Sequence, residues 1–245
     1  MGGVHATIRI VAGERALTIG ETVIVVSDIH IGYELSIVSK GVRIPSQTIP
    51  MAKRIVNLIQ RTGAEEVILL GDIKDQILGT SRIVMSEISS FFNILKKRAK
   101  RITVVPGNHD AGLEKITDQS IQYASSRGMI YRDGNTRIAL LHGHAFPVKD
   151  AETADILIMG HRHFSIRVGR KVVPLWIRGS VKDKQIIIMP PFNEFLSGVF
   201  EATEKSSNSY VSKILSSGGN FDAFMLDGTK VGGLNKLEDI IQSEA

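Results

Sequence analysis

Short apolar, β-branched runs recur along this chain, and most end in a residue able to bind a metal ion. The runs at 22–27, 67–70, 102–105, 138–141 and 156–159 have the length of buried strands. Between the first three, apolar residues fall at helical spacing. Ile49, Ile55, Val56 and Ile59 predict a helix over 47–62, closed by Gly63, and a second helix is expected over 81–99. Upstream, 7–11 and 16–19 flank the turn 12–15 as a hairpin, and 31–46 reads as a loop or irregular helix. Strand and helix thus alternate through the first 110 residues, the pattern of βαβ units and a largely parallel sheet.

After residue 128 the texture changes. Strands are expected at 129–131, 137–141, 156–159, 165–168, 172–177 and 185–189, with hairpin turns at 132–135 and 168–171. This half reads as mostly antiparallel. The two halves predict an α/β fold in which two sheets pack face to face with helices outside, as one domain over 1–245. The Ser- and Gly-rich stretch 201–220 is expected to be a weakly ordered loop or a short amphipathic helix, and 221–226 a last strand. There is no internal repeat.

The 245 residues, 43% of them hydrophobic, suffice for a sizeable core. No apolar run approaches the roughly 18 residues that cross a bilayer. The opening MGGVHATIRI has no charged segment followed by an apolar one, so no signal peptide is expected, and the cytoplasm is the simplest compartment. With no cysteine, disulfides and thiolate metal sites are excluded, and any metal must be held by His, Asp, Glu or Asn. The net charge of +5 fits anionic partners such as nucleic acid or phosphate esters, and fits many soluble proteins equally well. The one dense basic cluster, Lys96 to Arg101, lies where a helix should end, so dipole complementation explains it at least as well as a nucleic-acid patch.

Six of the seven histidines lie in the blocks that carry the chemistry: Asp28-Ile-His30, Gly71-Asp72, Gly107-Asn108-His109-Asp110, His142-Gly-His144 and Gly160-His161-Arg162-His163. Strands that end and then present Asp, Asn or His build a site at the C-terminal edge of an α/β fold. Asp28, His30, Asp72, Asn108, His142, His161 and His163 are the ligand types that a pair of divalent ions needs. In an extended segment residues two apart face the same way, so Asp28 and His30 are expected to meet one metal, and His161 and His163 each to reach into the cleft.

This ordered set resembles the calcineurin-like metallophosphoesterase superfamily, over Asp28 to His163. Each block alone is weak; five in order, each at a strand end, are specific. The resemblance implies a four-layer α/β/β/α sandwich of two mixed sheets and two divalent ions. Mn²⁺ is preferred, and Fe, Zn²⁺ and Ni²⁺ suit oxygen and imidazole ligands almost equally. It assigns Asp28, His30, Asp72 and His163 to one metal, and Asp72, Asn108, His142 and His161 to the other. His109 becomes the general acid that protonates the leaving alkoxide. Asp75 and Asp110 are the candidates to orient it. Asp75 is preferred, because an extended chain would turn Asp110 away. His142 is expected as the ligand over His144, which is left to the substrate pocket.

The stretches 27–34, 41–45 and 189–193 are similar to a prokaryotic, largely archaeal branch related to the nuclease subunit of the double-strand-break repair complex. Gln76-Ile77 stands where a protein phosphatase would carry Arg-Gly, which disfavours that class. Arg43, Lys74, Arg162 and Asn193 join His144 as candidates for substrate contacts. The expected activity is a phosphodiesterase in which a metal-bridging hydroxide attacks phosphorus. The alternatives are a DNA nuclease acting in repair and a non-catalytic metal-binding scaffold. Nucleic acid or nucleotides are the expected partners, no membrane is expected, and a homodimer is a compatible assembly.

Overall fold

The computed structural model describes residues 7–38, 41, 44–77, 79–196 and 208–236. The first half supplies β1 (Ile8–Ile10), β2 (Leu17–Ile19), β3 (Val23–Ser27), α1 (Tyr33–Val38), α2 (Thr48–Thr62), β4 (Glu66–Leu70), α3 (Arg82–Leu95), β5 (Arg101–Val104) and β6 (Gln122–Tyr123). These strands form one sheet in that order, antiparallel from β1 to β3 and parallel from β3 to β6. The expected βαβ units are therefore present, with α2 and α3 as the crossovers. Gly63 ends α2 in the left-handed conformation, with φ 73°, and Ser81 caps α3 by accepting from the Val84 amide.

The second half supplies β7 (Met129–Asp133), β8 (Thr136–Leu141), β9 (Ile156–Met159), β10 (Ser165–Val168), β11 (Lys171–Pro174), β12 (Trp176–Val181), β13 (Lys184–Ile188), α4 (Tyr210–Leu215), β14 (Asn220–Phe224) and β15 (Lys230–Gly233). Seven of these strands form the second sheet in the order β15-β14-β12-β13-β9-β8-β7, while β10 and β11 make a separate hairpin. Most of its pairings are antiparallel, as expected, but β9 pairs parallel with both β8 and β13. The 172–177 run, expected as one strand, is two. After Pro174 the chain leaves β10, Leu175 bonds back to the Phe164 carbonyl, and β12 joins the large sheet. A run of apolar residues carries no mark of such a change of partner. Within 201–220, the described part from 208 holds α4, a short helix with Tyr210, Val211 and Ile214 buried; residues 201–207 lie outside the described residues.

Strand alternation sorts the side chains into layers. In β3, Val23 and Val25 face the second sheet, where they meet Ile138, Leu140, Ile158, Trp176 and Met189. Ile24 and Val26 face α2 and α3, with Ile55, Leu58, Ile88 and Phe91. The outer face of the second sheet buries Leu141, Leu157, Met159 and Ile177 against Tyr210, Val211 and Ile214 of α4. The fold is thus α/β, with two mixed sheets face to face and helices outside. The C-terminal ends of β3, β4, β5, β8 and β9 lead directly into the five histidine- and aspartate-bearing blocks.

Candidate metal centre

Asp28, His30, Asp72 and His161 all have positive φ, at 57°, 47°, 51° and 70°. Left-handed backbone costs a non-glycine residue of order 1–2 kcal/mol, and such strain concentrates at functional sites. It also corrects the expectation of strand alternation: Asp28 and His30 converge because the chain curls tightly after β3, not because it stays extended. Backbone bonds between loops hold the curl, from Asp28 N to Gly71 O at 3.2 Å and from His30 N to Asp72 O at 2.8 Å. The glycines of the motifs make the close approach possible. A Cβ at Gly107 would lie 2.1 Å from Asp72 Oδ1, and one at Gly160 would lie 1.8 Å from Ser27 Oγ.

The side chains gather into three overlapping groups: Asp28, His30 and His163; His30, Asp72 and His109; and Asp72, His142 and His161. In each, one donor atom per residue lies within 4.8 Å of the others. His30 Nδ1 pairs with Asp75 Oδ1 at 3.1 Å, and His142 Nδ1 with the Leu70 carbonyl at 2.9 Å. Those contacts favour the proton on Nδ1 and leave Nε2 as a lone pair directed inward. Both Nε2 atoms are buried without a hydrogen bond, although Asp72 Oδ2 lies 3.5 and 3.2 Å away. Two buried imidazole nitrogens without a hydrogen bond thus converge on one carboxylate. Cations between them would satisfy all three groups, so these residues fit a divalent-metal centre.

The carboxylates and imidazoles also shift one another's protonation. Burial opposes charge on His30, but Asp72, Asp75 and Asp28 outweigh it and raise its pKa to about 10. His142, also buried, is raised to about 9 by Asp72 and Asp28. Burial works against the Asp28 carboxylate, yet His163 and His142 hold it at about 2, and His142 and His30 hold Asp72 well below the usual carboxylate range. The Asp28 and Asp72 carboxylates thus stay ionised and favour positive charge beside them, as a protonated imidazole or as a bound cation. Burial and His142 push His144 down to about 4 and His161 to about 3, leaving both as neutral imidazoles.

The other site candidates take varied places. Asn108 is exposed in the turn beside His109. His109 Nδ1 contacts the backbone carbonyl of Asp75, and its Nε2 lies 3.9 Å from Asp72 Oδ2. The Asp75 carboxylate thus goes to His30 instead of His109. Asp110 is fully engaged elsewhere, accepting from the amides of Ile73, Lys74 and Gly107, so neither carboxylate orients His109. His144 stands beside the centre, its ring 5.3 Å from His142 and 6.2 Å from His161. Lys74 is buried and donates to the carbonyls of Gln76 and Ile77, which removes it from substrate contact. Arg162 reaches Ser212 at 3.4 Å and lies over Phe164. Asn193 is fully buried, and its amide donates to the Ile29 carbonyl at 3.0 Å. Arg43 lies outside the described residues. Sequence reasoning passed over Ser27, whose Oγ lies 2.5 Å from Asp28 Oδ2 and 2.9 Å from the Leu70 carbonyl. Its place directly before Asp28 was the only available signal.

No curated protein matches this sequence. Among solved structures the chain is similar to the Pseudomonas putida nuclease MPE, with 18% identity, a TM-score of 0.57, and coverage of 93% of this chain and 100% of that one. At that identity the likeness speaks for the fold. The model of the calcineurin-like phosphoesterase superfamily domain matches residues 22–184, from the start of β3 to that of β13, enclosing all five blocks. The chain belongs to the calcineurin-like phosphoesterase superfamily.

Proposed function

We propose that this protein is a dinuclear-metal phosphodiesterase. The observation that carries this reading is the sharing of Asp72. Its Oδ2 lies 3.5 Å from His30 Nε2 and 3.2 Å from His142 Nε2; Asp28 and His163 group with His30, and His161 with His142. One carboxylate between two such groups is the arrangement that holds a pair of ions. Bound there, two divalent cations would neutralise phosphoryl oxygens and acidify a water between them. Oxygen and imidazole donors suit Mn²⁺.

The chain's own residues supply the rest. His30 and His142 are braced through Nδ1, so their Nε2 atoms hold direction without reorganising. His109 is partly exposed beside Asp72 and is held through Nδ1 by a carbonyl. Its Nε2 therefore faces the cleft, where it can deliver a proton to a departing alkoxide. His144, neutral and next to His142 and His161, would donate a hydrogen bond to a phosphoryl oxygen.

Nucleic acid is the runner-up substrate, because one solved structure of similar fold, the Pseudomonas putida protein, is a nuclease. The basic cluster gives it little support. Lys96 pairs with Asp118, Lys100 with Glu65 and Arg101 with Glu66, and β5 carries this cluster at the end opposite the Gly107 loop. The deciding assay compares bis-p-nitrophenyl phosphate with p-nitrophenyl phosphate on metal-stripped protein reloaded with Mn²⁺. Faster cleavage of the diester, lost in Asp72→Asn, is expected. Turnover of the monoester alone would end the diesterase reading, and DNA tested beside it separates the nuclease from the small-molecule enzyme.

A further inference from the structure

The segment after β13, Pro190-Pro191-Phe192-Asn193, crosses the back of the Asp28 loop and binds it at successive positions. Phe192 N donates to Ser27 O at 2.7 Å, Asn193 N to Asp28 O at 3.2 Å, and Asn193 Nδ2 to Ile29 O at 3.0 Å. Three consecutive carbonyls of the strained turn, from the residue before Asp28 to the residue before His30, are thus held by two residues. The Asn193 side chain is locked in turn, since its Oδ1 accepts from Phe195 N at 3.0 Å. Beneath this strap lies Arg15, from the first hairpin, with 6% of its surface exposed. Its Nη1 donates to Pro191 O at 2.9 Å and to Asn193 O at 3.1 Å. A buried guanidinium on two carbonyls is a costly group to place, and a strand hairpin needs none. Phe192, fully buried under the Arg54 guanidinium, anchors the same segment from the α2 side.

We propose that Arg15 and Asn193 are positioning residues that set the affinity of the Asp28–His30–His163 half of the centre, by holding Asp28 and His30 in the left-handed backbone that aims them at a divalent cation. Asn193 thereby works from behind the site, not on substrate. Without the strap, the turn relaxes toward ordinary backbone, and Asp28 and His30 separate. The Asp72–His142–His161 half hangs on β4, β8 and β9, and among the described residues the strap makes no hydrogen bond to it; the halves meet at Asp72 and at the backbone bonds from the Asp28 turn. This inference rests on the metal-centre reading above.

The test is Mn²⁺ binding by calorimetry and electron paramagnetic resonance on the full chain, in Asn193→Ala, Arg15→Met and Arg15→Lys. The expected result is loss of affinity at one site by about 10–100-fold with the other unchanged, and a smaller loss in Arg15→Lys. The spectrum of the remaining ion should match that of His163→Ala rather than His161→Ala. Leu95→Ala, a core truncation in the last turn of α3, should melt lower and keep both ions, which separates lost positioning from lost stability. Two ions at parent affinity in both Asn193→Ala and Arg15→Met, or equal weakening of both sites, overturns the proposal. A parent protein that binds no Mn²⁺ defeats the metal-centre reading itself, and this inference with it.

Discussion

Asp75 serves two histidines through different atoms: its carboxylate braces His30, and its backbone carbonyl braces His109. A carbonyl partner occupies Nδ1 and fixes the ring, which leaves Nε2 as the nitrogen to carry a transferable proton. His109→Ala should therefore lose more activity on a diester with a poor, alkyl leaving group than on one with a nitrophenolate, by about 10²–10⁴-fold for the former. Bound metal should be unchanged. Equal losses on both esters, or loss of one ion, would make His109 a ligand with His30 and Asp72 instead. The five blocks were legible in the sequence because each follows a strand. The partners of Asp75, Asp110 and Asn193 were not, since each depends on a loop from elsewhere in the chain.

Among the elements, α1 is the least expected from pattern, and one buried carboxylate ties it in place. Glu34 Oε1 accepts from the Gln47 amide at 2.6 Å, satisfying a donor at the start of α2, and lies near Glu87. Burial, with Glu87 and Asp75 adding like charge, raises the Glu34 pKa above its ordinary 4.5. The folded state thus holds this proton more tightly than the unfolded one. Stability from it is present below pH 4.5 and is lost as pH rises through the raised value. Glu34→Gln keeps an acceptor and removes the charge. Its melting temperature should exceed the parent's at pH 8, and the gap should close as pH falls toward 4.5. A gap that widens on acidification would reverse the sign and the argument. The two crossover helices, by contrast, were visible in the sequence, because Gly63 and Ser81 mark their ends chemically.

At the scale of the molecule, the centre sits between two sheets and joins loops from both, so a bound ion links them. Metal at a hundredfold excess over its dissociation constant should stabilise the fold by about 2.7 kcal/mol per site, or on the order of 5–10 °C in melting temperature for a chain this size. Scanning calorimetry of metal-stripped and Mn²⁺-loaded protein checks this, and identical melts would exclude a link between the sheets through the ions. Among the described residues no helix is long and apolar enough to cross a membrane. What the sequence determined by itself was local: strand length, alternation of inward and outward side chains, helix stops, and the placing of chemistry directly after strands. Those follow from backbone geometry and solvation acting over a few residues. The tertiary structure alone decided the rest. It made β9 parallel to its two neighbours, split 172–177 between two sheets, and curled Asp28 and His30 into left-handed backbone. It also moved Asn193 from a supposed substrate contact to a strap held by Arg15. The reason is common to all four: each depends on hydrogen bonds between segments far apart in the chain, and no local pattern of residues records which distant partner a backbone group will meet.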